Sequence, residues 1–201
     1  MATGHERPEI LNIEGDSISL GPVRRDLVTT YQRWVNDFAT ARTLALPPGP
    51  MAEEAELDWF ERVSRQGATD ASFTIYDRQS WRPVGITGLH QIDYRHRTAS
   101  FGLMIGEPDA RGRGFGTEAT RLMLDYGFVA LGLNNVMLSV YEFNLAARRA
   151  YEKAGYREIG RRRQGRFMGG RLWDEILMDC LADEFESPVL AEVFVPDKPR
   201  P

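Results

Sequence analysis

The sequence predicts one domain of the α/β (α+β) class: a mixed, mostly antiparallel central sheet of about seven strands with helices on both faces. Three observations lead there. Hydrophobic periodicity runs strand-helix-helix-strand-strand-strand-helix-strand-helix-strand-strand, an order that mixes hairpins with a crossover. At 201 residues, 42% apolar and 27% charged, the chain is long enough to bury one core and short for two. No internal repeat or low-complexity stretch divides it.

Residues 1–17, polar and of mixed charge, read as a loose leader ahead of a domain over 18–182, with a tail over 183–201. Ile18 to Val23 is the first strand, ended by Gly21-Pro22. Leu27, Tyr31, Trp34, Val35 and Phe38 recur at helical spacing over Asp26 to Thr40, with Asp26 as N-cap. Leu46-Pro-Pro-Gly-Pro50 breaks the chain, and Met51 to Gln66 is a second helix that buries Leu57, Phe60 and Val63. Strands at Ser72 to Tyr76 and Val84 to Ile92 flank a turn through Asp77 to Ser80, and a third at 99–105 follows the polar Asp93 to Arg97 turn. Ala119, Leu122, Met123, Tyr126 and Ala130 form the stripe of a long helix that Gly132 caps. Strand 136–141 and helix 144–154 come next, then a hairpin of Tyr156 to Gly165 and Leu172 to Leu181 turning at Met168-Gly-Gly170. Val189 to Val195 could add a strand or clasp a second copy of the chain, a possible homodimer.

Residues 99–118 carry the chemistry. An apolar run, Phe101 to Ile105, stops at Gly106 and Pro108 and opens into Arg111-Gly112-Arg113-Gly114-Phe115-Gly116-Thr117 at the start of a helix. Alternating glycines allow a tight turn and bring no β-carbon between a ligand and the peptide N–H groups. Those N–H groups lack intrahelical partners and lie at the positive end of the helix dipole, which suits a phosphate. A Walker loop is excluded, because no Gly-Lys-Ser/Thr string occurs and the only lysines are Lys153 and Lys198. A dinucleotide fingerprint fails too, since Thr117 stands where the third small residue belongs and the loop lies past mid-chain. Arg/Gln-x-x-Gly-x-Gly/Ala is matched by Arg111, Gly114 and Gly116.

A second segment stands downstream: Asn144-Leu-Ala-Ala147-Arg-Arg-Ala-Tyr151-Glu-Lys153-Ala-Gly155-Tyr156. Together the two motifs resemble the signatures of the GCN5-related N-acetyltransferase (GNAT) superfamily across roughly residues 18 to 182. The chain looks closest to the branch of ribosomal-protein N-terminal and polyamine acetyltransferases. The resemblance implies acetyl-CoA as co-substrate, its pyrophosphate on the Arg111–Thr117 loop and its pantetheine arm on main-chain atoms of Met104, Ile105 and Gly106. Backbone N–H groups near Leu103 to Ile105 would face the developing oxyanion, although an ordinary central strand would have the same apolar side chains. Asn144 would cap its helix and bond the pantetheine amide, and Tyr151 would protonate the departing thiolate; a plain packing role for Tyr151 is the competing reading. No metal and no covalent enzyme intermediate are expected.

The base is harder to find. Many relatives carry Glu at the start of the strand before the loop, where this chain has Ser100, so a water chain or a carboxylate elsewhere must serve. Asp93, Glu53, Glu54, Asp58 and His90 are candidates, each also readable as a solvated surface group. The resemblance to polyamine acetyltransferases implies that carboxylates in this part of the chain line a cationic-substrate pocket, which the five acids over 53–61 could do, or they could face solvent; Arg161, Arg162, Arg163, Arg166 and Arg171 could hold an acidic ligand or decorate a hairpin. The acceptor is therefore either a peptide N-terminus or a small-molecule amine such as a polyamine, amino-sugar or aminoglycoside; a non-catalytic acyl-CoA sensor is the alternative from another class. Net charge −4 argues against nucleic acid, no run is long enough to span a membrane, and a single Cys180, read as core, fits a cytoplasmic location.

Overall fold

The computed structural model describes residues 5–46, 49–65, 67 and 69–197. The Pro47-Pro48 break, Gln66 at the expected helix end, and the outermost parts of the leader and tail lie outside the described residues. Eight strands form one sheet: β1 (Ile13–Glu14), β2 (Ile18–Pro22), β3 (Ala71–Asp77), β4 (Pro83–Asp93), β5 (Thr98–Ile105), β6 (Asn135–Tyr141), β7 (Arg157–Met168) and β8 (Arg171–Leu181). Their spatial order is β1-β2-β3-β4-β5-β6-β8-β7, and only the β5–β6 pair is parallel. The extra strand, β1, falls in the stretch expected to be loose. Ile13 pairs with Leu20 and is buried, so apolar burial brings this part of the leader into the sheet.

Among the described residues six α-helices accompany the sheet: α1 (Val28–Asn36), α2 (Phe38–Ala41), α3 (Glu53–Ser64), α4 (Phe115–Asp125), α5 (Leu145–Ala154) and α6 (Leu190–Val193). The single helix expected over 26–40 is broken. Asp37 adopts an extended conformation and caps α2 by accepting from the Ala39 N–H at 3.1 Å. Asp26 caps nothing and pairs with Arg24 at 2.7 Å, leaving α1 to begin without a side-chain cap. At the far end of α4 the coil widens into a π-helical turn, Tyr126–Ala130, and Gly132 then turns out at φ +67°.

Burial explains how the layers form. Ala119, Leu122 and Met123 of α4 are almost fully buried in a core shared with Leu89, Phe101 and Val136. On β4 successive side chains alternate, so Leu89 joins that core while Ile86 and His90 face a cavity beneath α3. Val23, Val28 and Phe60 form a smaller cluster that seats α3 against α1. Cys180 is a fully buried free thiol in β8, pushed up to about 11 by burial, as its apolar neighbours suggest.

The C-terminal segment makes a short helix where an added strand had been one expectation. Asp125, fully buried at the end of α4, accepts from the main-chain N–H groups of Val189 (3.0 Å) and Leu190 (2.8 Å) and from the Ser187 hydroxyl. These bonds satisfy the N–H groups that open α6 and pin Leu190 into the core. Among the described residues no helix is long and apolar enough to cross a membrane.

Candidate active site

Strands β5 and β6 part company after a short contact. Their parallel register covers Thr98 to Ser100 against Asn135 to Met137, while β5 continues to Ile105 and β6 to Tyr141. On the other side of β5 the antiparallel register with β4 is unbroken from Ser100 to Ile105. Gly106 N–H donates to the Val84 carbonyl at 2.9 Å, which fixes the phase of that ladder. By its alternation, Gly102 and Met104 direct their main-chain groups to β4, and Leu103 and Ile105 direct theirs into the gap left by β6. The gap is part of a cavity of about 450 Å³, lined also by α2, the start of α4, and α5.

Of the residues singled out by the sequence, Met104, Ile105, Arg111, Gly112, Gly114, Gly116, Thr117, Asn144 and Tyr151 line this cavity. Gly106, Arg113 and Phe115 do not, and each has another task. A β-carbon on Gly106 would overlap the Trp34 ring, so the glycine serves packing beneath the indole. That indole N–H donates to Glu107 at 2.8 Å. Phe115 is buried in the core, and Arg113 lies over its ring while pairing with Asp77 at 3.1 Å. In the Gly-x-Gly-x-Gly run, only alternate positions therefore open onto the slot.

The loop itself fits an anion. Gly112 (φ +73°) and Gly114 (φ +89°) occupy left-handed conformations, and a β-carbon at either would meet open space. Gly114 is the N-cap of α4 and supplies no side-chain acceptor, so the first N–H groups of the helix remain available. Arg111 braces the loop, donating from Nε to the Ile105 carbonyl (3.1 Å) and from Nη2 to the Thr40 hydroxyl (2.6 Å). Arg42, Arg149 and Lys153 join it on the walls, and among the described residues no carboxylate lines this cavity although the chain carries net charge −4. Sequence reading passed over Arg42 and Arg149, which lie on separate helical segments and share no motif.

Asn144 caps α5, its side-chain oxygen accepting from Ala147 N–H at 3.3 Å. About two turns beyond that cap, Tyr151 is 8% exposed, its ring edge-on to Phe101 with centroids 6.0 Å apart. Burial pushes its phenol up to about 12. It is thus a protonated group on the wall of a basic slot.

A second cavity, about 500 Å³, lies across β5 beneath α3, and Leu44, Leu103 and Met104 wall both. Its walls are largely apolar, with Glu56, Asp58, Arg62 and His90 as the charged or titratable groups. Glu56 is 4% exposed, and burial pushes its carboxyl up to about 7. It was among the 53–61 acids that could line a cationic pocket but not among the candidate bases, because five acids within nine residues look alike until burial separates them. Glu53, Glu54 and Glu61 are exposed and outside both cavities. Asp93 accepts from His96 N–H in a turn, and His90 is tied to Asp70 at 3.0 Å. Ser100 contacts Gln91 at 3.3 Å. Arg161 and Arg162 pair with acids of their own sheet, while Arg166 and Arg171 lie over Tyr141 and Trp173. Among the described residues no group of three or more His, Cys, Asp or Glu side chains is assembled as for a metal.

The family described as "Acetyltransferase (GNAT) domain" matches residues 18–157. Spermidine N(1)-acetyltransferase of Vibrio cholerae is 33% identical over 113 residues, covering 56% of this chain and 64% of that protein. The Escherichia coli enzyme of the same name is matched over 58% of its length, so the chain spans less than two thirds of either. A putative ribosomal N-acetyltransferase of Bacillus subtilis is 31% identical over 129 residues, 64% of this chain and 68% of that one. The fold is also that of the crystal structure of the Vibrio cholerae spermidine acetyltransferase with CoA and spermine (TM-score 0.77, 24% identity, covering 85% and 98% of the chains).

Proposed function

The chain belongs to the family of GNAT acetyltransferase domains, and from that membership we propose that it transfers an acetyl group from acetyl-CoA directly to a primary amine. One observation carries the reading: a basic slot and a mostly apolar cavity meet across the same strand residues, Leu103 and Met104. A polyphosphate donor fits the first, and an amine approaching from the second would reach the donor's carbonyl where the two join.

The residues divide the work. N–H groups at the start of α4, with Arg111 and the other wall cations, would hold the pyrophosphate. The free N–H groups of Leu103 and Ile105 would bond the pantetheine arm and the oxygen that gains charge as the amine attacks. Tyr151 would give its proton to the leaving sulfur, and burial keeps that phenol protonated at neutral pH. Acceptors within this reading are a small amine, as in the spermidine relatives, or the α-amine of a protein N-terminus. The free, buried Cys180 suits a reducing cytoplasm.

The test pairs binding with turnover. Acetyl-CoA, and not NAD, should raise the melting temperature, because a ligand that binds only the folded state stabilises it. Thiol release should follow when an amine is added. Binding without release across peptides, polyamines, amino-sugars and aminoglycosides would favour an acyl-CoA sensor instead.

A further inference from the structure

We propose that Glu56 receives the ammonium group of the acceptor and takes its proton, and that the walls around it select an amine with one charge on an apolar body. The proposal rests on the N-acetyltransferase reading above and names the substrate class for that same site.

Glu56 is the one buried acid of α3, and among the described residues burial alone, with no charged or hydrogen-bonding neighbour, perturbs its carboxyl. Burial disfavours the charged form of this carboxyl, and a bound cation beside it would offset that cost. It lies on the wall of the cavity that joins the donor slot, with Met51, Trp59, Leu103 and Met104 as apolar neighbours. The remaining titratable groups on that wall are Asp58 and Arg62, both exposed and opposite in charge, and His90, held by Asp70. A polyamine would bring two or three charges into this space, and only one buried carboxylate meets them. An arylalkylamine, or a peptide N-terminus with an apolar first side chain, matches both the charge and the walls.

The proton balance closes. The ammonium loses one proton to the Glu56 carboxylate, and the freed lone pair forms the C–N bond to the thioester carbonyl. As the C–S bond breaks, sulfur takes the Tyr151 proton, and the second proton lost by nitrogen restores Tyr151. Glu56 then returns its proton to water, so each turnover yields amide, free thiol and one released proton.

The experiment measures kcat/KM for 2-phenylethylamine, leucinamide and spermidine with the wild-type protein and Glu56→Gln. Expected are values for the two apolar amines about 10-fold or more above spermidine, from the loss of pairing and desolvation of extra charge. Glu56→Gln should lower kcat/KM for them about 100-fold, the usual scale for removing a general base. The wild-type profile should fall on the acid side below about pH 7, where Glu56 is protonated, and the variant should lack that limb. Stabilisation by acetyl-CoA should be unchanged, which reports an intact fold and donor slot. Preference for spermidine, or a variant with wild-type kcat/KM and the same limb, overturns the proposal alone. Silence with all three amines, from a protein that is stabilised by acetyl-CoA and turns over a peptide, amino-sugar or aminoglycoside, overturns this proposal alone; silence across that whole panel overturns the transferase reading and this proposal with it.

Discussion

Burial does two things to Tyr151. It fixes the ring against Phe101 and Tyr156, and it raises the phenol to about 12. Tyr151→Phe keeps the packing and removes only the proton, so kcat should fall about 10²-fold, at the scale of general-acid loss. The acetyl-CoA-induced rise in melting temperature should stay at its wild-type value. An unchanged kcat would remove Tyr151 from the reaction. Tyr151 was legible in the sequence because Asn144, Ala147 and Gly155 fix its place on one short helix. Glu56 was not, because nothing local distinguishes a buried acid from its exposed neighbours on α3. Gly106 was singled out only for its main-chain atoms, as a pantetheine contact, and its being a glycine was not legible, because the Trp34 ring that excludes a β-carbon is distant in sequence.

At the level of elements, the start of α4 joins turn geometry to anion binding. Gly114 needs φ +89°, and a β-carbon there would point into open space. Gly114→Val should therefore cost about 1–2 kcal/mol through the left-handed conformation alone. Calorimetric titration should show acetyl-CoA binding weakened about 10-fold or more, because a shifted turn misaims the free N–H groups. Wild-type affinity in that variant would show that the loop tolerates another backbone path. This strand-loop-helix unit was readable from residues 99–118, since its signals are local. Helix 26–40 was misjudged for the opposite reason. Its apolar period runs through Asn36 to Phe38, and only the Asp37 cap, with Thr40 donating to the same carboxylate at 2.7 Å, interrupts it. The tail was misjudged because its partner, Asp125, is remote in sequence.

Across the whole molecule, the class and most strand positions followed from alternation and turn residues, but the sheet's spatial order did not. That β6 pairs with β8 rather than β7, and that β1 closes the edge, depends on pairings between distant segments. The parting of β5 and β6 is the same kind of feature, and it has a thermodynamic side. Strands β1 to β5 and strands β6 to β8 are laddered together by only three residue pairs, with α4 packed across the seam. Two halves so weakly stitched should unfold as separate cooperative units when the slot is empty. A ligand gripping Leu103 and Ile105 on one side and Asn144 on the other would fuse them. Native-state hydrogen exchange should then show the β6–β8 amides opening as a group at lower free energy than those of β2–β5. Saturating acetyl-CoA should merge the two groups, and a single uniform class without ligand would show that α4 alone already couples them. The opening that admits the donor is thus also the molecule's line of least cooperativity, and the substrate is its clasp.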